Sequence, residues 1–417
     1  MSALPVNSVV LSFEDARQLV EYHAANLPRP DTEIVELVMS GGRVLAEPLV
    51  ADRDIPPFPR ATRDGYAVRS PDLHDIPARV DLVGEIKAGE DPDKLPATIG
   101  AGQAVSIMTG APVPSGADAV VMIEHTVLRG NVVEITRTVT AGENVVPRGA
   151  EAAFGSTLCQ PGTKMTQSAV ALAASVGKAR LCVYKRPRVA VLTTGDEIVG
   201  IEATPGPTQI RNSNSYSLAV QIQQAGGEVL LLPIAPDDPA KLRQLIEGGL
   251  QADLLLMTGG VSMGRYDFVE QVLSEMSAEF FFTGAKIQPG RPVVFGRCTA
   301  SGGNRSTYFF GLPGNPVSTM VTFELFCKPI LEALTGQLPT KLRFLHARAK
   351  TEIHIKTGLT RFLPAVLSGE FENVEVELAR WQGSGDIAAT ARASCYIVIS
   401  PDRAHIPAHE WVPVLMR

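Results

Sequence analysis

Apolar residues are spaced most regularly in the second half of the chain. Between residues 185 and 336, short continuous apolar runs alternate with segments in which apolar residues recur at helical spacing. The predicted elements are strands at 188–192, 228–234, 253–257, 292–295 and 308–310, and helices at 212–226, 239–248, 268–276 and 317–334. Because strands that alternate with helices are joined by crossovers, this order predicts a parallel, doubly wound α/β sheet.

Two other regions have the pattern of β-structure. Gly/Pro turns separate short alternating or β-branched runs at 80–86, 104–108, 119–123 and 131–136, which predicts an all-β module. From residue 340 to the end the helical spacing disappears, and strands are predicted at 343–349, 374–378 and 395–399. This second pattern is typical of a small β-barrel or sandwich.

The remaining segments, 12–50 and 163–178, have helical spacing. Ser12 with Asp15 could cap a helix that runs through Tyr22, a second periodic stretch extends from Ile34 to Leu45, and Gly177 could end the later helix. A proline cluster at 55–59 separates the first segment from the β module. We therefore predict a multidomain α/β plus β protein: a discontinuous N-terminal helical or mixed domain (1–50 and 150–183), an inserted β module (51–149), an α/β domain (184–336) and a C-terminal β-barrel (337–417).

Composition and charge exclude several classes of protein. The 417 residues are 45% hydrophobic and 20% charged, as expected for a soluble protein with well-filled cores. With 38 Lys and Arg against 44 Asp and Glu, the net charge of -6 argues against chain-wide binding to nucleic acid. No run approaches the roughly 18 apolar residues that span a bilayer, and the N-terminus does not resemble a signal peptide. We expect a cytoplasmic protein.

Neither cysteines nor histidines predict a metal site. The five cysteines are scattered and lack the spacing of a metal knuckle or a redox pair. His405 and His409 have the i, i+4 spacing of a zinc-binding helix, but Pro407 between them favours a loop.

Three turns that directly follow predicted strands contain small or anion-binding residues. They lie at 193–197, 258–264 and 311–316. In a parallel sheet such turns meet at the carboxyl edge, where glycine lets backbone N–H groups approach a phosphate. None contains the P-loop or the dinucleotide-binding motif, so ATPase and dinucleotide functions are disfavoured. The turns predict a site for a phosphorylated ligand.

Carboxylates lie beside these turns. Asp196 and Glu197 end the first turn, Asp237 and Asp238 follow the second main strand, and Asp267 closes the loop around Gly260. Oxygen ligands next to phosphates are what Mg²⁺ takes. Each carboxylate could instead cap the following helix, and Asp238 before Pro239 fits a cap especially well.

Three further residues could belong to the site. Lys286 and Arg291 flank the segment 288–290 and could neutralise an oxyanion, or could be solvated surface cations. Asp64 follows the proline cluster and precedes Gly65, so it is either a site carboxylate or part of an Asp-Gly hairpin turn.

Eight short motifs occur in order across nearly the whole chain. They are DIPPF at 54–58, DGYAVR at 64–69, MTGAP at 108–112, GADAVV at 116–121, TGDE at 194–197, GGVSMG at 259–264, PG at 289–290 and LPGNP at 312–316. Together they resemble the MoeA family, the molybdopterin molybdenumtransferases, which includes the gephyrin E domain.

This resemblance implies the last step of molybdenum cofactor assembly. Adenylylated molybdopterin and molybdate would give molybdenum cofactor and AMP, with Mg²⁺ assisting cleavage of the phosphoanhydride. The α/β domain would be a MogA-like molybdopterin-binding domain. The protein would be a homodimer whose cleft lies between the α/β domain of one subunit and the β module of the other, and it could receive its pterin from a molybdopterin adenylyltransferase.

The resemblance also implies roles for individual residues. Those that match acidic or catalytic positions of the family are Asp64, Thr109, Glu151, Glu197, Asp237 and Asp267, of which Glu197, Asp237 and Asp267 would bind Mg²⁺. Those that match substrate-binding positions are Thr194, Gly195, Gly259, Gly260, Ser262, Lys286, Gln288, Arg291, Pro313, Gly314, Asn315, Pro316 and Ser384, the last of which would reach in from the C-terminal domain.

The chain departs from the family pattern in three places. Gln288 and Arg291 stand where Lys-Pro-Gly-Lys is common, the stretch 358–364 has Arg361 in place of two arginines, and residues 60–63 differ before Asp64. These departures leave the choice between molybdate and tungstate open. A non-catalytic scaffold and a molybdopterin adenylyltransferase remain as alternatives. The acidic set argues against the first, and the two extra β domains argue against the second.

Overall fold

A computed structural model describes residues 9–90, 98–260, 268–303, 305–380 and 382–417. The N-terminal part contains strand β1 (Val10–Leu11), helix α1 (Phe13–Ala25), strand β2 (Thr32–Glu36), a 3₁₀ helix (Leu37–Met39) and strand β3 (Leu49–Val50). The predicted cap of α1 is confirmed, because the Ser12 side chain accepts a hydrogen bond from the Asp15 N–H. The predicted helix from Ile34 to Leu45 is wrong, since this segment forms part of β2 and the 3₁₀ helix.

The inserted module is built from short strands, as predicted. They are β4 (Arg60–Ala61), β5 (Gly65–Val68), β6 (Ala78–Ile86), β7 (Gln103–Ile107), β8 (Ala119–Met122), β9 (Thr126–Arg129), β10 (Val132–Ile135) and β11 (Val145–Val146), with 3₁₀ helices at Ser70–Leu73 and Ile123–His125. Six of the strands form one sheet in the order β8-β5-β7-β6-β10-β9. Strand β5 lies inside this sheet, between β8 and β7, so the loop before it is held on both sides.

Strands from before and after the module pair with each other. After it come β12 (Thr157–Cys159), α2 (Gln167–Ser175) and β13 (Arg180–Tyr184). Strand β12 pairs with β3, and β13 pairs with β2. Pairing with β13 explains why the 34–45 segment is not helical, because tertiary contacts override local periodicity. Helix α1 instead packs against the α/β sheet through Ala16, Val20 and Ala24. The limits of the four domains stay a prediction.

The α/β region contains the predicted alternation of strands and helices. Its elements are β14 (Arg188–Thr193), β15 (Ile198–Val199), β16 (Ile210–Arg211), α3 (Asn214–Gln224), β17 (Glu228–Leu231), α4 (Pro239–Gly249), β18 (Leu254–Thr258), α5 (Phe268–Glu275), β19 (Glu279–Phe282), β20 (Gly284–Ala285), β21 (Ile287–Gln288), β22 (Val294–Thr299), β23 (Ser306–Leu312), α6 (Pro316–Thr322), a π-helical turn (Phe323–Cys327) and α7 (Lys328–Leu334).

The main sheet has the order β17-β14-β18-β23-β22-β19 and is covered on both faces. Successive side chains of β14 enter different cores: Val189 packs with α3, α6 and α7, whereas Ala190 packs with α4 and α5. The doubly wound prediction is therefore confirmed. The sheet is parallel only from β17 to β23, because β22 and β19 pair antiparallel. A short connection without a helix joins β22 to β23, and such a connection makes a hairpin.

The C-terminal region is a closed barrel. Its elements are β24 (Phe344–Ala349), β25 (Ile353–His354), β26 (Thr360–Ser368), β27 (Glu375–Leu378), α8 (Ile387–Arg392), β28 (Cys395–Ile399), β29 (His405–Ile406) and β30 (Trp411–Met416). Five strands close in the order β26-β27-β24-β30-β28 because β28 also pairs with β26. This confirms the barrel over the sandwich. Helix α8 was not predicted. Within the described ranges, no helix is long and apolar enough to cross a membrane.

Candidate functional site

Three turns meet at the carboxyl edge of the α/β sheet, as the sequence predicts. The Thr194 N–H donates a hydrogen bond to the Thr258 carbonyl at 3.0 Å, which joins the turns after β14 and β18. A methyl group on Gly314, in the turn after β23, would lie 3.6 Å from Cα of Gly259. Glycine is required at position 259, because its φ is +89° and a methyl group there would lie 2.4 Å from the Thr194 carbonyl oxygen. The edge is thus open backbone that a ligand can approach closely.

Asn214 ties these turns together, although the sequence indicated only a helix cap in this stretch. Its Nδ2 donates to Oγ1 of Thr258 at 2.9 Å and to the carbonyl of Gly314 at 2.8 Å. Its Oδ1 and the Thr194 Oγ1 are buried and have no hydrogen-bond partner among the described residues. Buried polar atoms are normally paired, so these two are candidates for contact with a ligand. The polar run at 212–215, beside a predicted sheet edge, was the signal that could have identified Asn214.

Three carboxylates crowd the turn after β14. The Asp237 N–H donates to Oδ1 of Asp196 at 3.0 Å. Glu197 folds back over Gly195, where a methyl group would lie 2.5 Å from its Oε2. Partial burial and the negative charges of Asp196 and Glu197 raise the pKa of Asp237. Repulsion of this kind is relieved by a bound cation.

These carboxylates fit a site that Mg²⁺ shares with phosphates rather than a closed protein cage. Mg²⁺ usually takes one or two carboxylates, with phosphate and water completing its coordination. Among the described residues, the one group of three or more acidic, histidine or cysteine side chains with converging ligand atoms lies elsewhere, in the C-terminal barrel. The chain can therefore contribute Glu197 and Asp237 to such a shared site.

Other predicted acidic and polar residues have separate outcomes. Asp238 is a helix cap, because its Oδ1 accepts hydrogen bonds from the N–H groups of Ala240 at 2.9 Å and Lys241 at 3.1 Å. Asp267 and Ser262 lie outside the described residues, so their roles stay predictions.

The two predicted cations flank a turn that packs against α6. Gly290 has a φ of +107°, and a methyl group there would lie 2.5 Å from Cγ2 of Thr322. Lys286 and Arg291 are both exposed, and the described part of the chain offers neither an ion-pair partner. Both charges are therefore available to an anion.

Arg361 and Ser384 come to this region from the C-terminal barrel. Strand β21 pairs with β26 so that Gln288 lies beside Arg361. The Arg361 guanidinium donates to the Lys356 carbonyl at 3.0 and 2.6 Å, and burial lowers its pKa. The Ser384 carbonyl accepts a hydrogen bond from the Val317 N–H at 3.0 Å, directly after the turn at Pro313, Gly314, Asn315 and Pro316. Arg361 is thus held by its own domain, whereas the Ser384 loop touches the site.

Asp64, Thr109 and Glu151 form their contacts elsewhere. Asp64 accepts two hydrogen bonds from Thr109, and these lower the pKa of the Asp64 carboxyl. Glu151 pairs with Arg60 at 3.0 Å. The Asp-Gly hairpin alternative is wrong, because Gly65 begins the interior strand β5 and a methyl group on it would lie 1.8 Å from the Val121 carbonyl oxygen. The described polar contacts of Asp64, Thr109 and Glu151 stay within the inserted module and its borders.

Together, the fold and the sheet edge define a multidomain protein whose α/β domain is suited to a phosphorylated ligand. Family models match three consecutive parts of the chain: the MoeA N-terminal region (domain I and II) at residues 11–177, the probable molybdopterin binding domain at 190–333 and the MoeA C-terminal region (domain IV) at 346–416. The chain belongs to the MoeA family, which confirms the resemblance that the motifs indicated.

Individual relatives agree with this assignment. The molybdopterin molybdenumtransferase of Nostoc sp. PCC 7120 is 36% identical over 330 residues, which are 78% of this chain and 74% of the relative. That of Haemophilus influenzae is 31% identical over 395 residues, covering 93% and 95%. The crystal structure of the molybdopterin biosynthesis MoeA protein from Pyrococcus horikoshii OT3 matches with a TM-score of 0.77 at 26% identity, over 98% of this chain and 100% of that one.

Proposed function

We propose that this protein is a molybdopterin molybdenumtransferase, which inserts molybdenum from molybdate into adenylylated molybdopterin and releases AMP. The observation that carries the proposal is the meeting of three turns at one sheet edge, with two unpartnered buried oxygens and a crowded carboxylate set beside them. The names of the relatives support the same activity.

The turns would bind the pterin and its phosphates. Backbone N–H groups at Gly195, Gly259 and Gly260 and in the turn at 313–316 suit phosphate oxygens, because no side chain blocks their approach. Oδ1 of Asn214 would accept a hydrogen bond from the ligand, and the Thr194 hydroxyl would donate or accept one. Ser384, next to Val317, would close the side that faces the barrel.

Glu197 and Asp237, with Asp267 as the third predicted ligand, would hold Mg²⁺. Bound there, Mg²⁺ would offset the negative charge that develops as the phosphoanhydride is cleaved. The raised pKa of Asp237 supports this assignment, because a cation removes the repulsion that raises it. The chain itself contributes positioning and electrostatic stabilisation rather than a covalent intermediate.

Lys286, Gln288 and Arg291 would receive molybdate. A doubly charged tetrahedral oxyanion requires fixed cations and hydrogen-bond donors when phosphates are already nearby. Lys286 and Arg291 have free charges, and Gln288 adds an amide donor from the same turn.

Asp64, Thr109 and Glu151 would belong to the same cleft through a second subunit. They lie in or beside a β module whose polar contacts do not reach the α/β edge within one chain, so a homodimer would place the module of one subunit over the edge of the other. The dimer would act in the cytoplasm and could receive its pterin from a molybdopterin adenylyltransferase.

AMP release distinguishes this function from its two alternatives. The full chain is incubated with adenylylated molybdopterin, Mg²⁺ and molybdate, and molybdate-dependent AMP release is expected. An adenylyltransferase would instead consume ATP and molybdopterin, and a scaffold would do neither. Asp237→Asn is the matched inactive control, and molybdate-independent or absent AMP release from the wild type would refute the proposal.

A further inference from the structure

Two histidines face each other on the outside of the C-terminal barrel. Strands β25 and β29 pair antiparallel, with Ile353 opposite Ile406 and His354 opposite His405. Both isoleucines are buried in the barrel core, at 3% and 1% exposure. Since successive side chains of a strand point to opposite faces, the two imidazoles point outward from a register fixed by the core. Their rings stack with centroids 4.5 Å apart.

A carboxylate converges on the same point. Glu352 is two residues before His354, and its Oε2 lies 3.4 Å from Nε2 of His354 and 3.4 Å from Nε2 of His405. The three ligand atoms all lie within 4.8 Å of one another. In a tetrahedral site with metal–ligand bonds of roughly 2.0–2.1 Å, ligand atoms are separated by about 3.3–3.4 Å. Both measured Glu–His separations therefore have the length of a tetrahedral edge.

We propose that Glu352, His354 and His405 form a binding site for Zn²⁺. Two imidazoles and one carboxylate match the ligand set of open zinc sites and are poor ligands for Mg²⁺, which takes oxygen. The side chains are 64%, 69% and 45% exposed, so the ion has an entry path and its fourth position is open to water or to a ligand from another molecule. None of the three residues belongs to the proposed pterin site, so the inference goes beyond the proposed function and does not depend on it.

The sequence could not indicate this site, because its ligands come from distant positions. His405 was considered with His409, and the predicted absence of a zinc helix there is correct, since His405 lies in β29. Its structural neighbour is His354, which only the pairing of β25 with β29 brings near.

Zinc titration of the full chain, stripped of metals and without pterin, tests the proposal. We expect one saturable Zn²⁺ per chain by calorimetry at neutral pH, and visible absorption of tetrahedral Co²⁺ when that ion replaces Zn²⁺. His405→Ala and Glu352→Gln should each weaken binding at least about tenfold, because each removes one of three protein ligands. His346→Ala is the matched control, because His346 is an exposed histidine on β24 of the same barrel and should leave the affinity unchanged.

Two further measurements exclude a change of fold and the acidic set. Zn²⁺ should raise the unfolding temperature of the wild type but not of His405→Ala, whose unfolding without metal should match the wild type. Asp237→Asn should bind Zn²⁺ normally. Loss of binding in Asp237→Asn but not in His405→Ala would place the ion at the sheet edge and overturn the proposal, as would the absence of saturable binding.

Discussion

Oδ1 of Asp64 accepts hydrogen bonds from both the N–H and the hydroxyl of Thr109, at 2.6 and 2.8 Å. The two residues lie in loops next to β5 and β7, which are neighbouring strands of the module, so the pair joins two loops of one sheet edge. Both bonds favour the ionised carboxylate and lower the pKa of Asp64. Asp64 is therefore an ionised group at neutral pH, held in one orientation.

Thr109→Val should uncouple the two effects of this pair. The valine keeps the N–H bond but loses the hydroxyl, so the pKa of Asp64 should rise toward its ordinary value. A lowered pKa contributes stability above the pKa of the unfolded chain, and that contribution is lost as pH falls through the folded pKa. We expect the variant to be slightly less stable than the wild type at neutral pH, with the difference shrinking in acid. Urea unfolding at several pH values measures this.

The same substitution should lower AMP release roughly tenfold, because the carboxylate is no longer fixed in orientation. Thr109→Ser is the matched control, since it keeps both donors and should keep the activity. Equal activity of Thr109→Val and the wild type would remove Thr109 from the proposed site.

Asp237→Asn should separate activity from stability. The folded chain raises the pKa of Asp237, so its ionised form costs stability above the unfolded pKa, and the cost grows as pH rises through the folded pKa. The amide removes that cost but also removes an anionic ligand. Without Mg²⁺ at neutral pH the variant should be as stable as the wild type or more stable, whereas AMP release should fall on the order of tenfold to a hundredfold. Normal turnover at limiting Mg²⁺ would show that Asp237 is not a ligand.

Thr194 and Thr258 offer a matched pair of isosteric substitutions. The Thr194 hydroxyl is buried without a described partner, whereas that of Thr258 accepts from Asn214 and donates to the Pro313 carbonyl at 3.2 Å. Thr194→Val should leave the free energy of unfolding unchanged or increase it, and should weaken binding of the adenylylated pterin. Thr258→Val should cost about 1–3 kcal/mol, because it leaves buried groups unpaired. Denaturant unfolding and pterin binding, both measured on each variant, test this; equal pterin affinity in Thr194→Val and the wild type would mean that the hydroxyl does not contact the ligand.

Arg291→Ala should raise the molybdate concentration needed for AMP release, while pterin affinity changes much less. Arg291→Lys should restore part of the effect, because lysine keeps the charge but not the bidentate geometry. Arg297→Ala, an exposed arginine of β22 that pairs with Glu279, is the control. An unchanged molybdate requirement in Arg291→Ala would move the oxyanion site, with Arg361 as the next candidate.

The sequence predicts elements well where local pattern and tertiary contacts agree. The strand over Arg188–Thr193 and the helix over Pro239–Gly249 are found within a residue or two, because apolar runs and an Asp-Pro cap specify them locally. The helix over 34–45 fails, because pairing of β2 with β13 uses residues far away in the chain. The antiparallel direction of β22 follows from a hairpin that the pattern did not distinguish from a crossover.

The candidate site shows the same division. The three turns were predicted because each follows a strand, and parallel strands bring such turns together. Asn214 was missed because its role depends on which turns lie within reach of its amide. The zinc ligands on β25 and β29 were missed because strand pairing alone joins them.

Mixed dimers test whether two subunits share each cleft. Asp64 lies in the β module and Asp237 at the α/β edge, and their described polar contacts do not connect within one chain. Asp64→Ala and Asp237→Asn should each be nearly inactive as pure dimers. In a mixed dimer of shared clefts, one cleft combines both substitutions and the other has neither, so about half of the wild-type AMP release per dimer should return. Differently tagged chains, co-purified so that heterodimers are confirmed by mass, provide the measurement. If each cleft instead belonged to a single subunit, every cleft of the heterodimer would carry one substitution and no activity would return.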